Sequence, residues 1–312
     1  MSSPSADNYL KHGAAGQMVL LTGATGFVGG YVARQLATQG VKLRCLVRRG
    51  AQVSRLAELG VDLAWGDVTD PASLDEAVRG VEAAIHLVAV IVEKGPATFE
   101  RVNYQGTVNL VEACKGAGVR RLVHMSNIGV GPEAGFPFMH SKWRAEEMVK
   151  KSVLDWTIFR SSIMFGAGDK FITKLAGIVR TGPIVPITGP GRSRFQPIWV
   201  EDTARCVANA LMNPATIGRV IPIGGPEHLT YEQIVDIIME ALGVKKPKIH
   251  VPLALMMPVA ALMAALQSHP LITPGQLRQL SLDNTTELDA VERVFGFRPA
   301  SLREKIGYIK GQ

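Results

Sequence analysis

The chain has 312 residues, of which 47% are hydrophobic and 20% are charged, and its formal net charge at pH 7 is +7. This composition excludes a disordered chain and provides enough apolar residues for one large domain or two unequal domains. The basic excess favours an anionic partner, such as a phosphorylated cofactor, an acidic protein or a lipid surface; nucleic acid is not predicted, because the basic residues form no dense tract flanked by aromatic residues.

Three regularly spaced glycines are the first feature along the chain that indicates function. Residues 1–16 are polar and are predicted to form a flexible N-terminal tail; the apolar run Met18–Thr22 then predicts a strand that leads into Gly23, Gly26 and Gly29. Glycine permits a sharp turn and a close approach of the backbone to a ligand. The apolar periodicity that follows predicts a helix, whose N-terminus attracts phosphate. This strand, turn and helix predict the binding of a dinucleotide pyrophosphate.

Strands and helices continue to alternate as far as residue 165. Such alternation predicts a parallel sheet covered by helices on both faces. The predicted fold class is therefore α/β, a Rossmann doubly wound parallel sheet, over residues 17–165. The predicted strands are Lys42–Val47, Asp62–Trp65, Ala83–Val88, Arg121–Met125 and Trp156–Phe159, and the predicted helices are Gln52–Leu59, one that begins at Asp70 and is closed by Gly80, Phe99–Ala117 and Phe138–Lys151.

The second half of the chain has a different organisation. From Gly166 onward, glycine- and proline-rich loops separate shorter elements. Residues 166–312 are predicted to form a smaller C-terminal α+β lobe for a substrate or partner, while residues 196–225 return to the first domain as a loop and a helix. The predicted helices of the lobe are Tyr231–Leu242, Leu253–Leu266 and Asp289–Phe295.

An ordered series of short motifs resembles the short-chain dehydrogenase/reductase superfamily, in its extended or atypical branch. The resemblance covers nearly the whole chain and implies an NAD(P)-binding Rossmann domain. The C-terminal run His269–Asn284 is most similar to atypical members related to the NADPH-binding accessory subunit of respiratory complex I. The motifs are Thr22–Gly29, Gly66–Val68, Asn103–Leu110, Ser126, Ser141–Lys142, Arg160, Gly166–Asp169 and Gly225–Thr230.

Arg48 and Arg49 directly follow the second predicted strand, at the position that distinguishes NAD from NADP. NAD-preferring folds place a carboxylate there, which accepts a hydrogen bond from the ribose 2′-OH. Guanidinium groups instead bond a 2′-phosphate. The sequence therefore favours NADP(H), with NAD(H) as the alternative and a solvated basic turn as the other interpretation. Asp67, next to Val68, resembles the family residue that accepts from the adenine amino group, and it also fits simple turn chemistry.

The resemblance also implies which residues contact the dinucleotide. They lie in the glycine turn and near the ends of the following strands. Metal ligands, by contrast, are not predicted anywhere in the sequence, because the histidines show no ligand spacing with cysteine or acidic partners. The predicted cofactor-binding residues are Gly23, Thr25, Gly26, Phe27, Val28, Gly29, Arg48, Arg49, Asp67, Val68, Val88, Ala89, Asn103, Ser126, Lys142, Arg160, Ser161, Ser162 and Ile163.

The predicted catalytic residues are Lys142 and Ser126, with Phe138 at the position of the family tyrosine. The resemblance implies that active members carry a tyrosine one helical turn before the lysine, whose ammonium lowers the pKa of the phenol. Phenylalanine has no exchangeable proton, and the loss of a general acid or base costs about 10²- to 10⁴-fold in rate. His140 is predicted to lie on a different helix face, and serine alone does not ionise usefully. The usual proton relay is therefore predicted to be absent.

Three classes of function remain open on this sequence, the third of which is a membrane-associated assembly factor. The first is an NADP(H)-binding protein without the proton relay, which acts as a structural or redox-sensing accessory or assembly protein. The second is an active NAD(P)H-dependent oxidoreductase, or a nucleotide-sugar epimerase or dehydratase, that uses another proton source. The intact glycine turn together with Phe138 favours the first class.

The segment Lys245–Leu266 places three lysines before a long apolar run. The run is shorter than the roughly 20 residues of a membrane-spanning helix. It is interpreted either as a core helix of the lobe or as a surface, rich in adaptable methionines, for a membrane or a membrane-protein complex. The three distant cysteines favour a reducing compartment, so the predicted location is cytoplasmic, with the inner face of a membrane as the alternative.

Overall fold

The computed structural model describes residues 17–266 and 273–311, except for the side chain of Ala265. The predicted tail, residues 1–16, and the beginning of the run His269–Asn284 lie outside the described residues.

The described chain separates into two compact units. The first unit comprises the residues up to Ser161 together with Glu201–Pro222, and the second comprises Ser162–Val200 together with the residues from Ile223 onward. The chain therefore leaves the first unit after Ser161, returns to it at Glu201 for a segment that lies inside the range 196–225, and leaves it again after Pro222.

The first unit contains a seven-stranded sheet. Its strands are β1 (Met18–Thr22), β2 (Lys42–Val47), β3 (Asp62–Trp65), β4 (Ala83–His86), β5 (Arg121–Asn127), β6 (Asp155–Ser161) and β11 (Arg219–Ile223). The strand order is β11, β6, β5, β4, β1, β2, β3, and each pair from β6 to β3 is parallel. The order reverses beside β1, which is where doubly wound sheets bind their ligands. The predicted Rossmann fold is confirmed.

The helices of the first unit differ from the predictions in two places. Its elements are α1 (Phe27–Thr38), α2 (Ser54–Ala57), α3 (Pro71–Ala77), the π-helical segment Phe99–Gln105, α4 (Gly106–Gly116), α5 (Pro137–Lys151) and α7 (Val200–Met212). The helix α2 is shorter than predicted, since Val53 provides no side-chain cap and Gly60 turns the chain at φ +66°. The single helix predicted from Phe99 begins instead as a wider π-helical segment, which carries Asn103.

The second unit is the smaller α+β lobe. Its strands pair only two by two, β7 (Met164–Phe165) with β10 (Ile198–Trp199), β8 (Val185–Thr188) with β13 (Lys248–Val251), and β9 (Arg194–Phe195) with β12 (Leu229–Thr230). Its helices are α6 (Phe171–Thr181), α8 (Tyr231–Leu242), α9 (Leu253–Leu266), α10 (Pro274–Gln279), α11 (Ala290–Phe295) and α12 (Leu302–Lys305), followed by the 3-10 segment Ile306–Gly311. The predicted bounds of α8 agree because Thr230 forms a capping box and Gly243 ends the helix at φ +69°.

Each unit has its own apolar core. In the first, side chains of the central strands such as Leu20 and Leu122 pack with Leu110 of α4. In the second, Ile172 of α6 and Ile238 of α8 belong to one buried cluster. The turn and the strand ends of the first unit are thus held on a rigid sheet.

Candidate functional site

The glycine turn after β1 is too tight for side chains at two positions. Gly23 has φ +81°, in the left-handed region that favours glycine. A Cβ on Gly29 would lie 2.0 Å from the carbonyl oxygen of Gly23, so α1 starts directly against the turn. None of the described side chains caps the first turn of α1, which also contains no acidic residue. Its N–H groups are therefore available to an anion, and the turn fits a dinucleotide pyrophosphate.

The remaining predicted residues of this turn differ in exposure. Thr25 and Gly26 are exposed, whereas Phe27 and Val28 are half-buried. The Phe27 ring packs edge-on against the ring of Tyr31, with the centroids 5.9 Å apart. The Phe27 side chain therefore packs on α1, and its backbone is the part suited to a phosphate.

A pocket of about 490 Å³ lies at the carboxyl ends of β2 and β3. Arg48 and Arg49 line this pocket and are exposed. Trp65, which is 48% exposed, also lines it. Trp65 was not predicted as a site residue from the sequence, although an indole at the end of a predicted strand was the available signal. Two guanidinium groups and a flat aromatic surface are suited to a phosphorylated nucleoside.

Asp67 lines the same pocket, and so do two other acidic residues, Asp70 and Glu76. Its Oδ1 accepts hydrogen bonds from the Thr69 N–H at 2.8 Å and from the Thr69 hydroxyl at 2.9 Å. Val68 is buried, so only its backbone is suited to contact a ligand. In the structure, the Asp67 carboxylate therefore stabilises the turn before α3. Its position in the pocket also fits the predicted contact with adenine.

Asn103 holds the loop that follows β4. Its Oδ1 accepts from the N–H of Val90 at 2.8 Å, and its Nδ2 donates to the Val90 carbonyl oxygen at 3.1 Å. Within this loop Val88 is half-buried and Ala89 is exposed. The Asn103 side chain thus fixes the shape of the predicted binding loop.

Ser126 and Lys142 are brought into the interior at the end of β5. They are 1% and 3% exposed. The Lys142 Nζ donates to the carbonyl oxygen of Met125 at 2.5 Å. Burial lowers the pKa of Lys142 to about 8, against the opposing charge of Glu146. The Ser126 Oγ has no partner among the described atoms, an arrangement that costs about 1–3 kcal/mol unless a ligand or water bonds it.

Phe138 lies in a cluster of apolar side chains, here called the aromatic cluster. Its ring is 8% exposed and packs edge-on against Phe99, with the centroids 5.7 Å apart. His140 is on the exposed side of α5, where its ring lies 5.5 Å from that of Trp143. The aromatic cluster consists of Phe99, Val130, Ala134, Phe136, Phe138, Met139 and Trp143. None of these side chains carries an acid, so the position of the family tyrosine has no proton donor among them.

The last predicted cofactor residues have partners within the protein. Arg160 donates through Nε and Nη2 to Glu146, at 3.0 and 2.7 Å, and the Glu146 side chain is fully buried. Ser161 is buried in β6. Ser162 and Ile163 belong to the second unit, where the amide oxygen of Asn284 accepts from both at 2.8 and 2.9 Å. Their polar groups are thus already engaged in structural contacts.

Two buried histidines beneath the site were not singled out from the sequence. His86 and His124 are register partners on β4 and β5, and their rings stack 5.3 Å apart. His86 hydrogen-bonds Thr22 and Thr107 on opposite sides. Burial, with the nearby charge of Lys142, lowers the pKa of His86 to about 3 and holds the pKa of His124 well below its usual range. Both imidazoles are therefore neutral near pH 7.

Metal and thiol chemistry find no support in the part of the chain that the structure describes. Among residues 17–266 and 273–311, no group of three or more histidine, cysteine, aspartate or glutamate side chains could hold a metal ion. Cys45, Cys114 and Cys206 are buried and free. Burial raises the pKa of the Cys45 and Cys114 thiols to about 12, so they stay protonated and unreactive near neutral pH.

The helix α9 carries a row of exposed apolar side chains, here called the α9 stripe. Leu255, Val259, Leu262 and Leu266 recur at helical spacing and are between 56% and 76% exposed, whereas Ala260 on the other side is 1% exposed. The interpretation of this run as a core helix is therefore wrong for one side of it. The methionines predicted to form the contact surface, Met256, Met257 and Met263, are only partly exposed.

Two of the three lysines before α9 are held by the protein. The Lys246 Nζ donates to the carbonyl oxygens of Arg180 and Gly182, at 2.9 and 2.7 Å. The Lys248 Nζ lies 2.8 Å from the carboxylate of Asp236 and 2.7 Å from that of Glu232. These lysines are therefore not free for an anionic surface. Within the described residues, no helix combines the length and the apolar character that crossing a bilayer requires.

Comparison with known proteins places the glycine turn in a recognised family. Residues 23–177 match a family model described as NAD(P)H-binding. The photosystem II assembly factor Ycf39 of Guillardia theta is 26% identical over 296 residues, which cover 94% of this chain and 93% of that protein. The mitochondrial NADH dehydrogenase (ubiquinone) 1 alpha subcomplex subunit 9 of Rattus norvegicus is 30% identical over 231 residues, or 72% of this chain and 61% of that subunit.

A solved structure extends the likeness to the fold of nearly the whole chain. The UDP-glucose 4-epimerase of Thermus thermophilus, crystallised with NAD, superposes with a TM-score of 0.73 over 95% of this chain and 98% of the epimerase. Its sequence is 21% identical, so the likeness establishes the architecture alone.

Proposed function

Because the chain belongs to the NAD(P)-binding atypical short-chain dehydrogenase/reductase-like family, we propose that it holds NADP(H) without the family's proton relay and serves as a structural or redox-sensing accessory or assembly protein. The observation that carries the proposal is Phe138 in the aromatic cluster, beside an intact glycine turn. Relatives that are named as a subunit of a dehydrogenase complex and as an assembly factor support an accessory role.

The residues present fit the dinucleotide in three places. The N–H groups at the start of α1 would hold the pyrophosphate, Arg48 and Arg49 would bond the 2′-phosphate, and Lys142 would hold the hydroxyls of the nicotinamide ribose. When bound, the nicotinamide supplies a hydride donor or acceptor. The orphaned hydroxyl of Ser126 provides one hydrogen bond to a group at that end.

What the site lacks is the phenol that exchanges a proton with the reacting oxygen in the family's relay. Lys142 is one helical turn after Phe138, where the ammonium of a lysine would act on a phenol. One of the three N–H groups of its ammonium donates to the Met125 carbonyl oxygen. Without a phenol, reduction of a carbonyl would leave an alkoxide unprotonated, and this step is slowed by about 10²- to 10⁴-fold.

Purified protein tests this proposal directly. We expect it to retain a dinucleotide that is identified as NADP(H) after denaturation, with the absorbance band of reduced nicotinamide when NADPH is bound. We also expect turnover with quinones, ketones and nucleotide sugars at least about a hundredfold below the roughly 1 to 10³ s⁻¹ of ordinary enzymes. Rapid reduction of any of these acceptors by the wild type would overturn the proposal.

An active oxidoreductase, or a nucleotide-sugar epimerase or dehydratase, is the second candidate. It is favoured by the buried Lys142 and by the unpartnered hydroxyl of Ser126, which are two of the three groups of the family's relay. This function requires a proton from the substrate itself, or an acceptor such as a quinone. The turnover assay separates the two candidates.

For the location of the protein, we propose the cytoplasmic side of a membrane, with the α9 stripe seated at the bilayer surface or on a membrane protein. The fourteen residues of α9 include no charged side chain, and four of its large apolar side chains are exposed. Contiguous exposed apolar side chains on a folded protein are typical of a surface that contacts a membrane or another protein. The chain's net charge of +7 favours the anionic leaflet.

Flotation with vesicles tests the bilayer arm of this location. We expect wild-type protein to float with vesicles of mixed neutral and anionic phospholipid, and the double variant Leu255→Glu, Leu262→Glu to stay at the bottom, since two carboxylates would enter the apolar boundary. Val153→Glu is the matched control, because Val153 is 84% exposed but lies in the first unit. Equal flotation of all three proteins would contradict the α9 stripe as the contact.

A further inference from the structure

A continuous chain of buried hydrogen bonds runs through the first unit, here called the polar chain. It starts at Thr22, the last residue of β1, and ends at the backbone carbonyl of Phe138 in α5. Its five side chains are at most 4% exposed. The polar chain consists of Thr22 Oγ1 to His86 Nδ1 at 2.7 Å, His86 Nε2 to Thr107 Oγ1 at 3.1 Å, Thr107 Oγ1 to the Asn103 carbonyl at 2.7 Å, Asn103 Nδ2 to Ser141 Oγ at 3.2 Å, and Ser141 Oγ to the Phe138 carbonyl at 2.7 Å.

The direction of each bond follows from the number of protons available. The single hydroxyl proton of Ser141 goes to the Phe138 carbonyl, so Ser141 accepts from the Asn103 amide. The hydroxyl proton of Thr107 goes to the Asn103 carbonyl, so Thr107 accepts from His86. His86 must therefore carry its proton on Nε2, which leaves Nδ1 to accept from Thr22.

The polar chain connects the parts of the first unit that surround the predicted dinucleotide. Thr22 immediately precedes Gly23 of the glycine turn, and Ser141 is next to Lys142 on α5. Asn103 also holds the loop after β4 through both polar groups of Val90. Each internal member is a donor to one neighbour and an acceptor from the other, so the loss of one link leaves buried groups unpaired on both sides.

We propose that His86 is a positioning residue that couples the glycine turn to α5, the helix that carries Phe138 and Lys142. Binding of a nucleoside diphosphate in the turn would then order α5. His124 has no such role: both of its ring nitrogens lack a partner among the described atoms, although its ring stacks on that of His86. The proposal rests on dinucleotide binding and is independent of the cofactor preference and of turnover.

Hydrogen–deuterium exchange with ADP as the probe tests the coupling. ADP contains the adenosine and pyrophosphate common to NAD and NADP, and it lacks the nicotinamide ribose that would contact α5 directly. In the wild type, we expect saturating ADP to slow exchange both in the turn, residues 22–30, and in α5, residues 137–151. In His86→Phe, which keeps a ring against His124 but removes both hydrogen bonds, we expect protection of the turn to remain and protection of α5 to fall by about fivefold or more.

Three further variants distinguish positioning from general loss of stability. His86→Gln retains one acceptor and one donor and should recover the protection of α5. His124→Phe removes a buried histidine from the same stack and should leave the protection unchanged. Thr107→Val cuts the polar chain at its next link and should likewise reduce the protection of α5. It keeps the coupling testable if His86→Phe does not fold. Unchanged protection of α5 in Thr107→Val, or an equal loss in His124→Phe, would overturn the proposal, as would protection confined to the turn in the wild type.

Discussion

Replacing Phe138 with tyrosine is expected to increase the reduction of an acceptor carbonyl or quinone by bound NADPH by about 10²- to 10⁴-fold. The substitution puts a phenol one helical turn before Lys142. A nearby ammonium favours the phenolate, and therefore lowers the pKa of the phenol from about 10 toward neutrality. The measurement is the loss of reduced-nicotinamide absorbance with a panel of quinones, ketones and nucleotide sugars, compared with the wild type.

Two controls show whether the gain comes from this position. Phe99→Tyr adds a phenol to the same aromatic cluster, but on the π-helical segment, and should leave the rate at the wild-type level. Combining Phe138→Tyr with Lys142→Met should remove most of the gain, because the phenol then loses its charged neighbour. If Phe138→Tyr binds NADPH normally but stays as slow as the wild type, the missing phenol is not what silences the site.

Replacing Arg48 and Arg49 together with alanine is expected to weaken NADPH binding by about 10²-fold and to change NADH binding by less than about threefold. Hydrogen bonds to a charged group contribute about 1.5–3 kcal/mol each, and the loss of one or two of them accounts for this factor. Both arginines line the pocket at the ends of β2 and β3. Titration calorimetry with each dinucleotide measures the two affinities.

The matched control for the arginine pair is Arg55→Ala. Arg55 is an exposed arginine on the nearby helix α2 and does not line this pocket. The Arg55→Ala variant should leave the affinities for NADPH and NADH unchanged. Any change that it does cause measures the general effect of losing a positive charge, and is subtracted from the effect of the double variant. An equal loss of NADPH and NADH affinity in the double variant would mean that the arginines contact something other than the 2′-phosphate, and NADP preference would have to be abandoned.

The fold could be predicted well because its signals are local. The bounds of β2 and β3 agree with the prediction, since each is a short apolar run bordered by turn-forming residues. Prediction was less successful for the helix expected from Phe99, because a π-helical segment has no distinct apolar period. The bounds of α9 agree with the prediction, but its residues are apolar on all sides. Its pattern alone could therefore not decide between a core helix and a surface helix, nor separate the buried side of Ala260 from the exposed stripe.

The predictions for the candidate site depend on positions where one residue type has one chemical meaning. The glycine turn, the arginines after β2 and the missing phenol at Phe138 were all read from residue identity and spacing. Trp65 and His86 were not found, because neither belongs to a motif and each acquires its importance from neighbours distant in the chain. Thr107, for example, is 21 residues from the imidazole that it bonds.

Sequence alone placed this chain among NAD(P)-binding proteins and predicted that the usual proton donor is absent, since both conclusions depend on which atoms a side chain has or lacks. Tertiary structure decided which polar groups are engaged and which are free to act. It assigned Lys246 and Lys248 to internal contacts, left the Ser126 hydroxyl without a partner among the described atoms and aligned five buried side chains between the glycine turn and α5. Such outcomes depend on burial and on distances between remote residues, which only the packing of strands and helices establishes.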